Sequence, residues 1–108
     1  MRSPLQVNFR NVQKSEAVEE KIREYAAKLE QFHNRITSCR VVVDAPHRNH
    51  QKGKLYHIQI DITLPGTEIV VNSNPSDNES HQDIYVAIRD AFDAAKRQLQ
   101  DYVEVQRN

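Results

Sequence analysis

The sequence predicts an α+β domain in which a four-stranded sheet carries two helices packed on one face, in the order β-α-β-β-β-α. Two stretches repeat apolar residues every three or four positions, as amphipathic helices do. Four shorter stretches alternate apolar and polar residues, as half-buried strands do. A sheet with only one apolar face needs a cover on that side alone, and two amphipathic helices supply it.

The C-terminal helix has the clearest pattern, and we predict that it runs from Ser80 to Val105. Ser80 followed by Asp83 fits a capping box, which satisfies backbone N–H groups at a helix start. No glycine or proline interrupts the run. Its apolar stripe consists of Ile84, Ile88, Ala91, Phe92, Ala95, Leu99 and Tyr102. The opposite face is polar and charged, so one side suits a core and the other suits solvent or a partner.

The N-terminal half predicts a strand followed by a helix. Apolar and polar residues alternate from Leu5 to Arg10. Ser15 is a suitable N-cap, and glutamates follow it near the positive end of the helix. An apolar stripe then extends from Val18 to Phe32. We expect the helix to end near His33-Asn34, because asparagine tolerates a left-handed cap conformation.

The middle of the chain predicts three further strands. The second strand extends from Ile36 to Ala45, and a polar, basic connector follows at residues 47–54. The third, from Tyr56 to Leu64, has the clearest alternation, with its isoleucines on one face. Pro65-Gly66 predicts a tight turn, after which Thr67 to Asn72 returns as the fourth strand.

Composition limits the possible functions. The 108 residues suit one domain, 1–108, with a modest core. Fifteen Lys and Arg balance fifteen Asp and Glu, so a nucleic-acid site would require local separation of charge. The sequence shows neither a transmembrane segment nor a secretory signal pattern. The single cysteine cannot form an internal disulfide, and we expect a cytoplasmic protein.

The residue pattern does not favour catalysis or a metal centre. No serine lies in a nucleophile-elbow sequence, and Cys39 lies on the apolar side of a strand. His47 and His50 are potential metal ligands, but two ligands do not make a site. We therefore expect a non-enzymatic protein without a cofactor. A small metal-binding regulator stays open as an alternative.

Basic residues are the remaining functional candidates. One cluster lies in the connector and comprises Arg48, Lys52 and Lys54. The other lies around the exposed helix faces and comprises Lys21, Arg23, Lys28 and Arg35 in the first region and Arg89, Lys96 and Arg97 in the second. If the helices lie side by side, parts of these sets meet in one stripe suited to phosphates. An ordinary solvated helix surface explains the same residues.

Four segments resemble one protein family. They are Lys28-Leu29-Glu30-Gln31-Phe32, Arg35-Ile36 through Val41-Val42-Val43, Pro65-Gly66-Thr67-Glu68-Ile69 and Asp83-Ile84-Tyr85-Val86-Ala87-Ile88. They resemble the ribosome hibernation-promoting factor family, also called ribosome-associated inhibitor, protein Y or sigma-factor modulation protein. The resemblance covers nearly the whole chain. It implies binding to the small ribosomal subunit in the cleft used by mRNA and tRNA, where family members inhibit translation and stabilise idle ribosomes.

The resemblance also ranks the basic candidates for contact with rRNA. Those at positions commonly basic in the family are Lys28, Arg35 and Arg97. Those with weaker family support are Arg89 and Lys96, and the connector adds Arg48, Lys52 and Lys54. Ala94 and Asp101 depart from the pattern, since basic residues are common there. Longer members carry a C-terminal dimerisation domain, and a related set sharing the Ala45–His57 pattern often continues into a cold-shock-type domain.

The first hypothesis is therefore a non-enzymatic, ribosome-binding stress factor whose Lys and Arg side chains neutralise rRNA phosphates. A regulatory protein-interaction module that uses the polar sheet face is the alternative from another class. The first hypothesis requires a dipolar surface despite the zero net charge. We expect its acidic part at Glu16, Glu19 and Glu20, and its basic part at Lys28, Arg35 and the connector.

Overall fold

The computed structural model describes residues 4–45, 48–49, 53–54, 56–73 and 83–107, with the backbone alone at 48–49, 53–54, 73 and 106–107. Its elements, in chain order, are β1 (Leu5–Arg10), α1 (Glu16–Phe32), β2 (Ser38–Asp44), β3 (Arg48–Asn49), β4 (Gly53–Lys54), β5 (His57–Leu64), β6 (Thr67–Ser73) and α2 (Ile84–Arg107). The predicted fold class and order of the major elements are confirmed. None of the described helices has an apolar stretch long enough to cross a lipid bilayer.

The main sheet has four strands in the order β1-β2-β5-β6. β1 runs parallel to β2, and α1 makes the crossover that a parallel pair requires. β2 pairs antiparallel with β5, and β5 pairs antiparallel with β6. The register places Val41 beside Ile60 and Ile60 beside Val71. Because side chains directly opposite one another share a sheet face, these three residues form an apolar row across the sheet.

The core lies between this apolar sheet face and the two helices. Val41 and Ile60 have no exposed surface, and the same is true of Ile22 on α1 and of Ile88 and Leu99 on α2. All of them belong to one cluster of buried residues. The two helices therefore cover the same side of the sheet, as the two periodicities predicted.

The other face of the sheet is open and polar. Asp61 points to this face, yet its side chain is only 7% exposed. The guanidinium of Arg40 donates to Asp61 at 2.7 Å, and the side-chain amide of Gln59 donates to the same carboxylate at 3.1 Å. These two contacts satisfy the buried carboxylate, which burial would otherwise destabilise. The hydrogen bond and the charge of Asp61 raise the pKa of Arg40.

The helix ends agree with the predictions only in part. Ser15 caps α1, since its hydroxyl accepts a hydrogen bond from the backbone N–H of Val18 at 3.3 Å. α1 ends at Phe32, so the predicted end near His33-Asn34 is confirmed. The expected left-handed cap is wrong, because the C-cap is His33 in an extended conformation with φ −139°. The N–H of His33 still bonds to the carbonyl of Leu29 at 2.8 Å. The last turn therefore closes without a left-handed residue.

The predicted start of α2 at Ser80 is also wrong, because α2 begins at Ile84 and Asp83 is the residue that caps it. The N–H of Tyr85 donates to the Asp83 carboxylate at 2.9 Å, and the N–H of Ala87 donates to the Asp83 carbonyl at 3.0 Å. Ser80 lies outside the described residues. A carboxylate can serve either as the cap or as the third helical residue of a capping box, so the sequence pattern fitted both arrangements.

The connector between β2 and β5 contains regular structure that the sequence did not predict. Arg48 pairs with Lys54 and Asn49 pairs with Gly53 in a two-stranded antiparallel ribbon. Strands of two residues show no alternation from which they can be recognised. The predicted turn at Pro65-Gly66 is present, and Gly66 has φ +79°, which glycine adopts without steric cost.

The core arrangement predicts that Ile60→Ala destabilises the protein by about 2–4 kcal/mol, because truncating a fully buried isoleucine leaves a cavity. Urea denaturation followed by circular dichroism measures this free energy. Val70→Ala is the matched control. Val70 is 46% exposed and lies on the open face beside Asp61, so its truncation should cost less than about 0.5 kcal/mol. Equal losses for the two variants would contradict the placement of the helices.

The cap at the start of α2 predicts that Asp83→Ala lowers the free energy of unfolding by about 0.5–2 kcal/mol, because the N–H of Tyr85 loses its acceptor. Asp83→Ser keeps an acceptor and should retain most of the stability. Ser80→Ala is the comparison in the same denaturation experiment. A larger loss for Ser80→Ala than for Asp83→Ala would restore Ser80 as the cap.

Candidate nucleic-acid interface

The two helices lie side by side and run in the same direction. Tyr25 stacks on Phe92, with ring centroids 5.3 Å apart. Further along, Lys96 contacts the ring of Phe32, and the ring centroids of His33 and Tyr102 are 6.3 Å apart. The residue numbers of the partners increase together on both helices, as they must in a parallel pair.

A row of side chains from each helix borders this contact, and we call the two rows together the helix seam. The seam consists of Lys21, Tyr25, Lys28 and Phe32 on α1 and of Tyr85, Arg89, Phe92 and Lys96 on α2. In each row the spacing is i, i+4, i+7 and i+11, which keeps four side chains on one side of a helix. The contacts of Tyr25, Phe32, Phe92 and Lys96 show that these sides adjoin each other.

Three ammonium groups of the seam lie over aromatic rings. The Nζ atoms of Lys21 and Lys28 are 6.0 Å and 5.7 Å from the centroid of Tyr25. Lys96 Nζ is 5.5 Å from the centroid of Phe32. Such contacts are worth about 0.5–1 kcal/mol at exposed sites. They hold the lysines along the seam, and they leave the N–H groups of Lys28 and Lys96 available for another acceptor.

The seam cations differ in how far acidic side chains neutralise them. Lys21 lies 3.3 Å from a carboxylate oxygen of Glu24, and Arg89 lies 3.2 Å from one of Asp90. Neither Lys28 nor Lys96 forms an ion pair within the described part of the chain. The seam therefore includes two lysines whose charge no described carboxylate offsets.

The start of α1 shows the opposite arrangement. Glu19 contacts both Lys14 and Arg23, at 3.8 Å and 2.8 Å. Glu16 and Glu20 border the same shallow depression. Basic residues in this region are thus engaged by acidic ones, whereas the seam retains unpaired cations. The dipolar surface itself stays a prediction, which these ion pairs support.

Residues 5–107 match the family described as Sigma 54 modulation protein / S30EA ribosomal protein. The chain belongs to this family. This match confirms the family to which the four sequence segments pointed, and it covers nearly the whole length of the domain.

The curated relatives of this S30EA-family chain include a ribosome hibernation promotion factor of Deinococcus radiodurans. The two are 30% identical over 98 residues, which cover 90% of this chain and 47% of the relative. The chain therefore spans about half the length of the curated relative that it matches.

Two solved structures share the fold. A ribosomal subunit interface protein from Coxiella burnetii superposes with a TM-score of 0.73 at 16% identity, covering 94% of this chain and 98% of that one. The N-terminal domain of Thermus thermophilus Protein Y superposes with a TM-score of 0.66 at 18% identity, covering 90% and 94%. At these identities the likeness establishes a common fold.

The structure brings three of the predicted contact residues of this S30EA-family domain together, because Lys28, Arg89 and Lys96 belong to the seam. Arg97 is exposed, but it follows Lys96 and therefore points about 100° further round α2, away from the seam. Arg35 is exposed in the loop between α1 and β2. The side chains of Arg48, Lys52 and Lys54 lie outside the described residues.

Two seam residues do not stand out in the sequence. Lys21 is one of several exposed basic residues, and the signal that marks it is its seven-residue spacing from Lys28, which matches that of Arg89 and Lys96. Phe32 belongs by its spacing to the apolar stripe of α1, but it is 42% exposed. Phe32 is exposed because it is the last residue of α1, where the apolar stripe extends beyond the edge of the core.

The described residues offer no comparable site for catalysis or for metal binding. Cys39 is buried, and burial, followed by the nearby charge of Asp61, raises the pKa of its thiol to about 12. No three His, Cys, Asp or Glu side chains among the described residues are grouped so that they could hold a metal ion. His47 and His50, the two histidines considered as ligands, lie outside that part of the chain.

The state of Cys39 predicts slow chemical modification in the native protein. With the pKa raised to about 12, the reactive thiolate is rarer by roughly a thousandfold than in a cysteine with its ordinary pKa. Iodoacetamide labelling at pH 8, followed by mass spectrometry, should proceed much faster in urea than in buffer. Equal labelling rates in the two conditions would show that Cys39 is exposed in the folded protein.

Proposed function

We propose that this domain binds the small ribosomal subunit in the cleft used by mRNA and tRNA, and that it thereby inhibits translation and stabilises idle ribosomes. Membership of the S30EA family and the name of the Deinococcus radiodurans relative, a ribosome hibernation promotion factor, support a ribosomal partner. The fold shared with a protein titled ribosomal subunit interface protein agrees with it.

The observation that carries the proposal is the unpaired charge of the helix seam. Lys28 and Lys96 project from adjacent helices, and no carboxylate of the described residues neutralises them. Phosphate groups of RNA bind such cations by releasing condensed counterions, a gain that does not depend on base sequence. A chain with zero net charge can therefore bind RNA through one positive surface while the rest of its surface carries the balancing negative charge.

The action on the ribosome requires no chemical reaction in this proposal. A folded domain that binds rRNA phosphates within the cleft occupies the volume that mRNA and tRNA need. Inhibition is then competitive, and it lasts as long as the domain stays bound. No substrate is consumed, so the strength of inhibition follows the affinity for the small subunit.

The polar face of the sheet is a weaker candidate for the contact with RNA. Its most buried charged group, Asp61, is already paired with Arg40 at 2.7 Å. An RNA phosphate approaching Arg40 would therefore compete with a fixed carboxylate and would be repelled by it. The same objection does not apply to Lys28 or Lys96.

A salt titration of binding to purified small subunits tests the proposal. We expect the Lys28→Ala/Lys96→Ala variant to bind more weakly than the wild type. Its plot of log affinity against log salt concentration should be shallower by about 0.7–0.9 for each phosphate that the variant no longer binds. The Lys28→Ala/Arg35→Ala/Arg97→Ala variant tests how much affinity comes from the three positions that are commonly basic in the family.

Lys14→Ala/Arg23→Ala is the matched control, because it removes the same charge from two basic side chains that Glu19 already engages. This variant should keep the wild-type slope. If the seam variant and the control lose the same affinity, the seam is not the binding surface. If the wild-type domain does not bind small subunits even at low salt, the proposed function is wrong for this domain.

A further inference from the structure

The helix seam leaves two large aromatic side chains partly open to solvent. Phe32 and Tyr85 are each 42% exposed, and the other large hydrophobic residues exposed in the described chain are Val70 and Val105. Phe32 is the last residue of α1, and Tyr85 lies in the first turn of α2. Because α1 and α2 are parallel, the two rings lie toward opposite ends of the seam.

The middle of the seam differs from its ends. Tyr25 has Phe92 stacked on it, so one of its faces is covered, and its ring is only partly exposed. Phe92 is buried. These two rings therefore form the floor of the seam, whereas Phe32 and Tyr85 present ring surface to an incoming group.

Lys96 does not close the exposed ring of Phe32 permanently. Its ammonium lies 5.5 Å from the ring centroid, at the end of a flexible four-carbon chain, and it has no ion-pair partner among the described residues. A phosphate attracts an ammonium more strongly than a ring does. When a phosphate arrives, Lys96 can turn toward it and leave the ring of Phe32 free to stack.

Positive charge between exposed aromatic rings matches the chemistry of single-stranded nucleic acid. In such complexes the cations follow the phosphate backbone while bases stack on aromatic side chains. In a duplex the faces of the bases are already stacked on one another, so a duplex could use the lysines of the seam but not its rings. An acidic polypeptide could also use the lysines, but it offers no base to stack on a ring.

We propose that the seam takes unpaired RNA, with nucleobases stacked on Phe32 and Tyr85 and with Lys28 and Lys96 bound to the flanking phosphates. This inference rests on the proposed function, and it names the class of RNA that the same surface recognises. Phe32 and Tyr85 act as binding residues through their ring faces, and they add affinity that does not depend on salt.

The test measures binding to a short single-stranded uridine oligonucleotide, to an RNA duplex of equal length, and to purified small subunits. Phe32→Leu and Tyr85→Leu remove a ring but keep apolar bulk. Each should weaken binding to the single strand by roughly fivefold to a hundredfold, with the salt slope unchanged. Val70→Ala is the control, because it alters an exposed apolar residue on the open sheet face, and it should bind as the wild type does.

A tryptophan variant reports on stacking directly. The chain contains no tryptophan, so Phe32→Trp introduces a single indole at the proposed contact and retains an aromatic face. This variant should keep or exceed wild-type affinity. Its fluorescence should be quenched by the single strand but not by the duplex.

The outcomes separate this inference from the proposed function. If the leucine variants bind both the single strand and the small subunits as the wild type does, the stacking role is wrong while ribosome binding stands. Equal affinity for duplex and single strand, or full displacement of the oligonucleotide by polyglutamate at matched charge, would also overturn it. Failure of the wild type to bind small subunits, with ring-dependent binding to the oligonucleotide intact, would reject the ribosomal function alone.

Discussion

The apolar face of the sheet determines where the helices lie, and through them where the candidate interface lies. Val41, Ile60 and Val71 form a row across three strands on that face, whereas the opposite face carries the charged pair of Asp61 and Arg40. A helix that covered the polar face would bury those charges away from water, which costs free energy. Four strands spaced about 4.8 Å apart are as wide as two helices of about 10 Å diameter. Both helices therefore fit side by side, and the helix seam follows from that fit.

The sequence was sufficient to predict the fold because its periodicities are long and uninterrupted. Alternation along β5 and the three- and four-residue steps of α2 each select one buried face, and Ile60 and Leu99 are completely buried as those patterns require. Features decided by a few local hydrogen bonds were harder to predict. Asp83 replaced Ser80 as the cap of α2, and the β3–β4 ribbon is too short to leave a periodic signal.

The candidate site was predictable only as a set of basic residues. Sequence alone cannot tell which cations are paired, because pairing depends on side chains brought together by the fold. Arg23 and Lys28 look alike on the printed chain, yet Arg23 lies 2.8 Å from Glu19 while Lys28 lies over the ring of Tyr25. Helix periodicity placed Phe32 on the core side, but at the last residue of α1 that side is partly open to solvent. The tertiary contacts therefore determine which cations are paired and which side chains are exposed, and composition does not reveal either.

The predicted separation of charge, without net charge, would determine how the domain orients on a polyanion. At the start of α1, the basic residues Lys14 and Arg23 both contact Glu19, and Glu16 and Glu20 add further negative charge. The unpaired lysines Lys28 and Lys96 lie further along the helix pair. These ion pairs support the predicted separation of charge, in which a polyanion is attracted most strongly to the part of the helix layer that carries Lys28 and Lys96. In the proposed complex the helix layer therefore faces the RNA, and the open sheet face, with Asp61 already paired with Arg40, lies on the far side of the domain.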